Sequence, residues 1–182
     1  MPDNPLGLAL LGIARNAINT RFNLETRVIA PNPELQNPGA SFVTLTQDGR
    51  LRGCIGSLEA HRDLAEDVAA NALAAAFHDT RFAPLTRLEW ANTRIEVSLL
   101  EPSVPMDCVD EKDAISRLRP GVDGVILALG KRRATFLPQV WETLPEPQQF
   151  LAYLKQKAGL PADFWDDEIT LARYGVRKWK ET

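Results

Sequence analysis

Cys54 lies in Leu51-Arg52-Gly53-Cys54-Ile55-Gly56, between glycines and two residues after an arginine. A thiol is a strong nucleophile only as the thiolate, and a nearby guanidinium favours that form. Gly53 and Gly56 would let a ligand or another backbone come close to the strand. Free cysteine is also among the most buried residue types, so pattern alone favours core packing over a reactive thiol. Cys108, in a loop after Pro105 and Met106, is the only other cysteine and a weaker candidate.

A second cluster is Phe77-His78-Asp79-Thr80-Arg81-Phe82-Ala83-Pro84. Asp79 and Arg81 can form a bidentate pair or present a carboxylate and a guanidinium to a polar ligand. His78, oriented by Asp79, would complete a Cys-His-Asp arrangement with Cys54. The plainer reading is a helix end whose Asp–Arg pair fixes the following loop. Glu96, on a strand with Arg94 and Ser98, belongs either to this polar site or to a solvated strand face. The two histidines, His61 and His78, flank one helix and stand roughly 25 Å apart, too far to share a metal. We expect no metal and no cofactor.

Positioning these side chains requires a hairpin. Two β-suited runs flank Asp48-Gly49, the pair favoured by a two-residue turn. A regular register from that turn sets Gln47 opposite Arg50, Leu45 opposite Arg52 and Val43 opposite Cys54. Cys54 then shares a face with Arg52 and Val43, while Gly53 and Ile55 point the other way. A bulge at Gly53 would reverse that arrangement.

Before the hairpin, Asn4-Pro5 caps a helix over about 6–20, and 28–40 is a proline-rich loop. After it comes an alanine-rich helix over about 62–77, with Leu64, Val68, Ala72 and Ala75 on its inner face. Thr86 and Glu89 form a capping box, and Ile95, Val97 and Leu99 alternate along a half-buried strand. A short helix over about 110–118, a hairpin around Gly130-Lys131, a helix ending at Gly159 and a last strand, EITLARYGV, complete the chain. Lys131-Arg132-Arg133 and residues 177–180 (RKWK) read as small basic patches. The fold class is α+β: a mixed or antiparallel sheet packed with helices, as a larger body plus a small lobe within about 101–135.

With 182 residues, the chain can bury roughly 70% of its unfolded surface without disulfides or metals. A net charge of −3 argues against nucleic acid or an anionic membrane as the main partner. The N-terminus lacks a basic leader region, and two isolated cysteines suit a reducing compartment. The expected location is the cytoplasm.

FVTLTQDGRLRGCIGSLE closely resembles the signature segment of the AMMECR domain family, known in bacteria and archaea as AmmeMemoRadiSam system protein A. AAAFHDTRFAPL, IEVSLLEP, PGVDGVIL, FLPQV and FLAYLKQKAGLP follow in the family's order, covering roughly residues 6–176 as a single domain. The resemblance implies a mixed α/β fold with LRGCIG beside a cleft, and an association with Memo-like and radical SAM proteins. Its characteristic polar residues fall on Arg52, Cys54, Asp79, Arg81 and Glu96. Varied residues occupy the place of His78 in the family, which weakens His78 as a base and shifts the companions of Cys54 to Arg52, Asp79 and Arg81.

Two functions follow. One is an accessory protein that binds a small anionic ligand or a partner's segment through Arg52, Gly53, Cys54, Gly56, Asp79, Arg81 and Glu96. The alternative is an enzyme with Cys54 as the catalytic nucleophile, acting on a small anionic substrate or modifying a protein. The first is favoured because no complete acid–base pair can be named.

Overall fold

The computed structural model describes residues 4–182. Its elements, in chain order, are α1 (Pro5–Arg21), β1 (Ser41–Gln47), β2 (Arg50–Gly56), α2 (Leu64–Phe77), α3 (Arg87–Trp90), β3 (Thr93–Leu100), β4 (Val104–Met106), α4 (Glu111–Arg117), β5 (Gly124–Leu129), β6 (Arg132–Phe136), α5 (Pro147–Lys157), β7 (Thr170–Tyr174) and β8 (Val176–Lys180). Among the described residues, no helix is long and apolar enough to cross a membrane. Met1 to Asp3, part of the N-terminal stretch read as lacking a leader signal, lie outside the described residues.

The chain divides into two compact units, residues 1–100 with 177–182, and residues 101–176. The small lobe placed within about 101–135 therefore runs on to 176. The reason is pairing: β7 lies between β4 and β5, so the last part of the lobe's sheet comes from a strand well beyond 135.

In the first unit the sheet order is β2-β1-β3-β8. Asn4 starts α1 by accepting from the Leu6 and Gly7 amides, as the Asn-Pro pair predicts. Leu6, Leu10, Ala14 and Ile18 of α1 and Val68, Ala72 and Ala75 of α2 pack on Val43, Leu45, Ile95, Val97 and Leu99. This is one apolar core between two helices and one sheet face. Residues 177–180, read as a basic tail, form part of β8 beside β3, and Trp179 lies over Gly7 of α1.

The inner face of α2 also carries Asp67 and Asn71, three and seven residues after Leu64. Asp67 is fully buried, and its carboxylate accepts from the Ser41 amide and hydroxyl, the Ser57 hydroxyl, Arg62 Nε and the Asn71 amide. The network ties the helix to the start of β1 and the chain just after β2. A buried carboxylate is tolerable only with such a set of donors.

In the second unit the sheet order is β4-β7-β5-β6. Trp141 stacks on Phe150 with ring centroids 3.7 Å apart, within a core that includes Leu127, Leu151, Leu154 and Leu171. Gly121, with φ +76°, turns the chain after the short helix α4. Asp123 is buried, taking two bonds from the Arg119 guanidinium and one from the Arg119 amide, and its carbonyl accepts from Trp141 Nε1. Lys155 of α5 is fully buried and bonded to Glu111 of α4.

Candidate functional site

The hairpin forms around Asp48-Gly49, both with positive φ, but its register differs from the regular one. Gln47 faces Arg50 and Thr46 faces Leu51, then Leu45 faces Gly53, leaving Arg52 as an extra residue. The bulge sits at Arg52, and it slides the rest of β2 by one position. Cys54 is therefore opposite Thr44, not Val43, while Val43 faces Ile55. Gly53 and Ile55 turn toward the helices with Leu45 and Val43. Cys54 lies on the other sheet face with Thr44, and Thr44 in turn faces Glu96 on β3.

Gly53 is needed for packing. A Cβ there would stand 2.2 Å from the Ala75 carbonyl oxygen, so β2 lies directly on the alanine side of α2. At Gly56 a Cβ would fall 2.2 Å from the Phe42 ring. At both glycines the place of a side chain is thus taken by the protein's own helix or ring.

The Cys54 thiol is half-buried, and its Sγ lies 3.2 Å from Thr44 Oγ1. Its backbone N–H and C=O both point away from β1 at the sheet's edge, where a further strand would pair. There the Cys54 amide donates to Asp79 Oδ2 at 2.9 Å, and Arg81 Nη2 donates to the Cys54 carbonyl at 3.3 Å. Asp79 and Arg81 are joined by two bonds, Nε to Oδ1 at 3.0 Å and Nη2 to Oδ2 at 2.7 Å. The Arg81 guanidinium, helped by the Cys54 and Arg81 amides, holds the Asp79 carboxyl well below the usual carboxylate range despite its burial. In return Asp79 makes Arg81 harder to deprotonate.

Arg52 is engaged elsewhere. Its Nε and Nη2 bond to the Glu89 carboxylate at 3.0 and 3.2 Å, and Nη2 also donates to the Ala83 carbonyl. Glu89 forms the capping box of α3 as expected, accepting from the Thr86 amide and hydroxyl. Arg52, with the Thr86 bonds, lowers the Glu89 carboxyl to about 2. Both guanidiniums flank Phe82, at 5.8 Å for Arg52 and 5.5 Å for Arg81. The segment between α2 and α3 is thus fastened to β2 from both sides.

The histidines stand apart from this arrangement. His78 is exposed at the end of α2, and the bonds of the Asp79 carboxylate go to Arg81 and Cys54. His61 is exposed with Nδ1 2.8 Å from the Glu59 carbonyl oxygen. Among the described residues, no group of three or more His, Cys, Asp or Glu side chains is placed to hold a metal ion. Cys108, in the second unit, has its thiol pushed up by burial and by the nearby Asp113.

The structure therefore brings Cys54, Asp79 and Arg81 together, sets Glu96 in the same cross-strand row, and turns Arg52 toward α3. Thr44, Glu89 and the Asp67 network were missed as partners. Asp67 and Asn71 had a readable signal, since they fall on the apolar face of α2. Thr44 depended on the bulge, which the glycine raises as an alternative at Gly53 and which the structure places at Arg52.

The AMMECR1 family model matches residues 11–179. A protein of Methanothermobacter thermautotrophicus is 36% identical over 185 residues, covering 96% of this chain and 94% of that one. Protein SSO0193 of Saccharolobus solfataricus is 37% identical over 186 residues, covering 97% and 82%. The crystal structure of the uncharacterized protein PH0010 from Pyrococcus horikoshii is similar, with a TM-score of 0.77, 30% identity, and coverage of 94% of this chain and 89% of that one. The chain belongs to the AMMECR1 family.

Proposed function

We propose that this protein is a cytoplasmic accessory component that acts with Memo-like and radical SAM proteins, binding an anionic ligand or an acidic partner segment at the β2 edge. The observation that carries the reading is the state of Arg81. Asp79 fixes its orientation, yet 55% of its side chain remains exposed, so it is a preset donor for a carboxylate or phosphate. Cys54 would contact the same ligand from the sheet face, and Glu96, an acceptor, would meet a donor group on it rather than its anionic end.

Binding is favoured over catalysis because the groups that would activate a thiol have other partners. Arg52 is bonded to Glu89, Asp79 to Arg81 and the Cys54 amide, and neither histidine supplies a base to the cluster. The test is direct binding of the purified chain to purified Memo-like and radical SAM proteins from the same organism. Wild type is expected to bind at least one of them, and Arg81→Ala to bind about tenfold more weakly, the loss of one charge-assisted contact. Equal affinity for wild type and variant would remove Arg81 from the function, and no binding to either protein would remove the partnership.

One contact supports the cysteine-enzyme reading, the Thr44 hydroxyl beside the Cys54 thiol. Iodoacetamide labelling across a pH series decides it. A Cys54 that labels no faster than a model thiol, with a midpoint near about 8.5, excludes the nucleophile role.

A further inference from the structure

Beyond any ligand, the Asp79–Arg81 pair does something to the sheet itself. In an antiparallel sheet a neighbouring strand accepts from an outward N–H and donates to the outward C=O of the same residue. At Cys54 the carboxylate of Asp79 takes the first part and the guanidinium of Arg81 the second, at 2.9 and 3.3 Å. The two side chains bond to each other as well, so they act as one planar unit with only 4% of the Asp79 side chain exposed.

The strand they complete is the outermost of its sheet, and it carries a bulge at the residue next but one. Outermost strands leave a row of backbone groups open to water or to other chains. Here the position nearest the bulge, where the ladder is already interrupted, is the one that is closed. Phe82, between the Arg52 and Arg81 guanidiniums, helps keep the pair in place.

We infer that Asp79 and Arg81 form a latch that replaces a missing fifth strand at Cys54, fixing the β2 edge and thereby holding the Cys54 side chain against Thr44. Asp79 is a positioning residue in this account, acting through the peptide of Cys54. The latch rests on hydrogen bonds within the first unit and stands or falls independently of any partner or ligand.

The test is residue-resolved amide exchange by NMR, combined with iodoacetamide labelling, in wild type, Asp79→Ala, Asp79→Asn and Arg81→Ala. The second cysteine, Cys108, lies in the other unit and is an internal control for labelling. In Asp79→Ala the Cys54 amide is expected to exchange about tenfold or more faster, because it loses a charge-assisted bond. Arg81→Ala should show a smaller rise, since the carboxylate still accepts from that amide. The Cys54 to Cys108 labelling ratio should shift in the same order. If Asp79→Ala does not fold, Asp79→Asn and Arg81→Ala carry the comparison. Exchange at Cys54 within twofold of wild type in every folded variant overturns the latch. Equal acceleration of Cys54 and Cys108 labelling overturns it too, because it would report general loosening.

Discussion

Each unit of this molecule buries an aspartate in an arginine fork, and the two forks are put to different uses. In the second unit Arg119 and Asp123 are four residues apart, and the carboxylate also accepts the Arg119 amide. That fork folds its own turn. In the first unit Asp79 and Arg81 reach back 25 and 27 positions to the backbone N–H and C=O of one residue, Cys54. The same pair of side chains is a local brace in one place and a long-range fastening in the other. A short motif rich in Asp, Arg and Gly is thus no guide to function until its partners are known.

The contrast extends to the deepest charges, where the largest effect is expected. Asp67 of the first unit and Lys155 of the second are both fully buried. Removing the Asp67 carboxylate strands the buried Ser41 amide and the Ser41 and Ser57 hydroxyl donors, although Arg62, one-third exposed, can turn to water and Asn71 keeps its bonds to Ser41 and Ser57. Asp67→Ala should lower stability by about 3–5 kcal/mol in denaturant unfolding, as for a broken buried charge network. Lys155→Met should behave differently, because its partner Glu111 is one-third exposed and can turn to water. A change between about 1 kcal/mol of loss and a slight gain is expected there. Equal losses for the two variants would break the comparison, showing that the Lys155 pair holds α4 to α5 as firmly as Asp67 holds α2 to the sheet.

Two glycines sharpen it next. A Cβ at Gly53 would meet a backbone oxygen of α2 at 2.2 Å, whereas at Gly124 it would meet the Tyr174 ring at 2.4 Å. A helix backbone cannot move without carrying its core contacts along, while a ring can tilt. Gly53→Ala should cost about 3 kcal/mol and Gly124→Ala about 1–2 kcal/mol, both read from urea midpoints. The Tyr174 ring is not wholly free, since its hydroxyl bonds Thr135 and the Phe136 carbonyl. A smaller cost at Gly53 than at Gly124 would mean that α2 is less firmly seated than its packing implies.

What could be read in advance follows the same division between local and long-range. The Asn4 cap, the Thr86–Glu89 capping box and the turns at Asp48-Gly49 and Gly130 are fixed by residues a few positions apart, and the residue types announce them. β8 was not legible as a strand because its five residues carry three basic side chains, suitable for an outer strand but equally for a tail. β4 has three residues, one of them Pro105, and its pairing partner β7 lies more than sixty positions away. At the site, Asp79 and Arg81 could be named as a pair, but not their hold on Cys54. The bulge at Arg52 is the reason: one extra residue exchanges Val43 for Thr44 as the neighbour of the thiol and releases Arg52 toward Glu89.

The smallest expected effect concerns acid. Arg52 brings the Glu89 carboxyl from an ordinary value of 4.5 down to about 2, and Asp79 is likewise lowered by Arg81. A carboxyl whose value is lower in the folded state stabilises the fold above its unfolded value, and that contribution is lost as the pH falls through the folded value. Stability of the first unit should therefore decline between about pH 4.5 and 2 as Glu89 takes up its proton. In the second unit, Asp113 is also lowered by Arg117, but that pair sits on the surface, where water and salt weaken it. Glu89→Gln should flatten the decline in the first unit, while Asp113→Asn should scarcely alter it in the second. The change at Glu89 is modest, since 35% of its side chain meets solvent. Urea midpoints at several pH values, followed unit by unit through amide exchange, measure both. If Glu89→Gln loses stability in acid as steeply as wild type, the fastening of Arg52 contributes nothing to the first unit. The acid response of β2 would then rest on Asp79 alone.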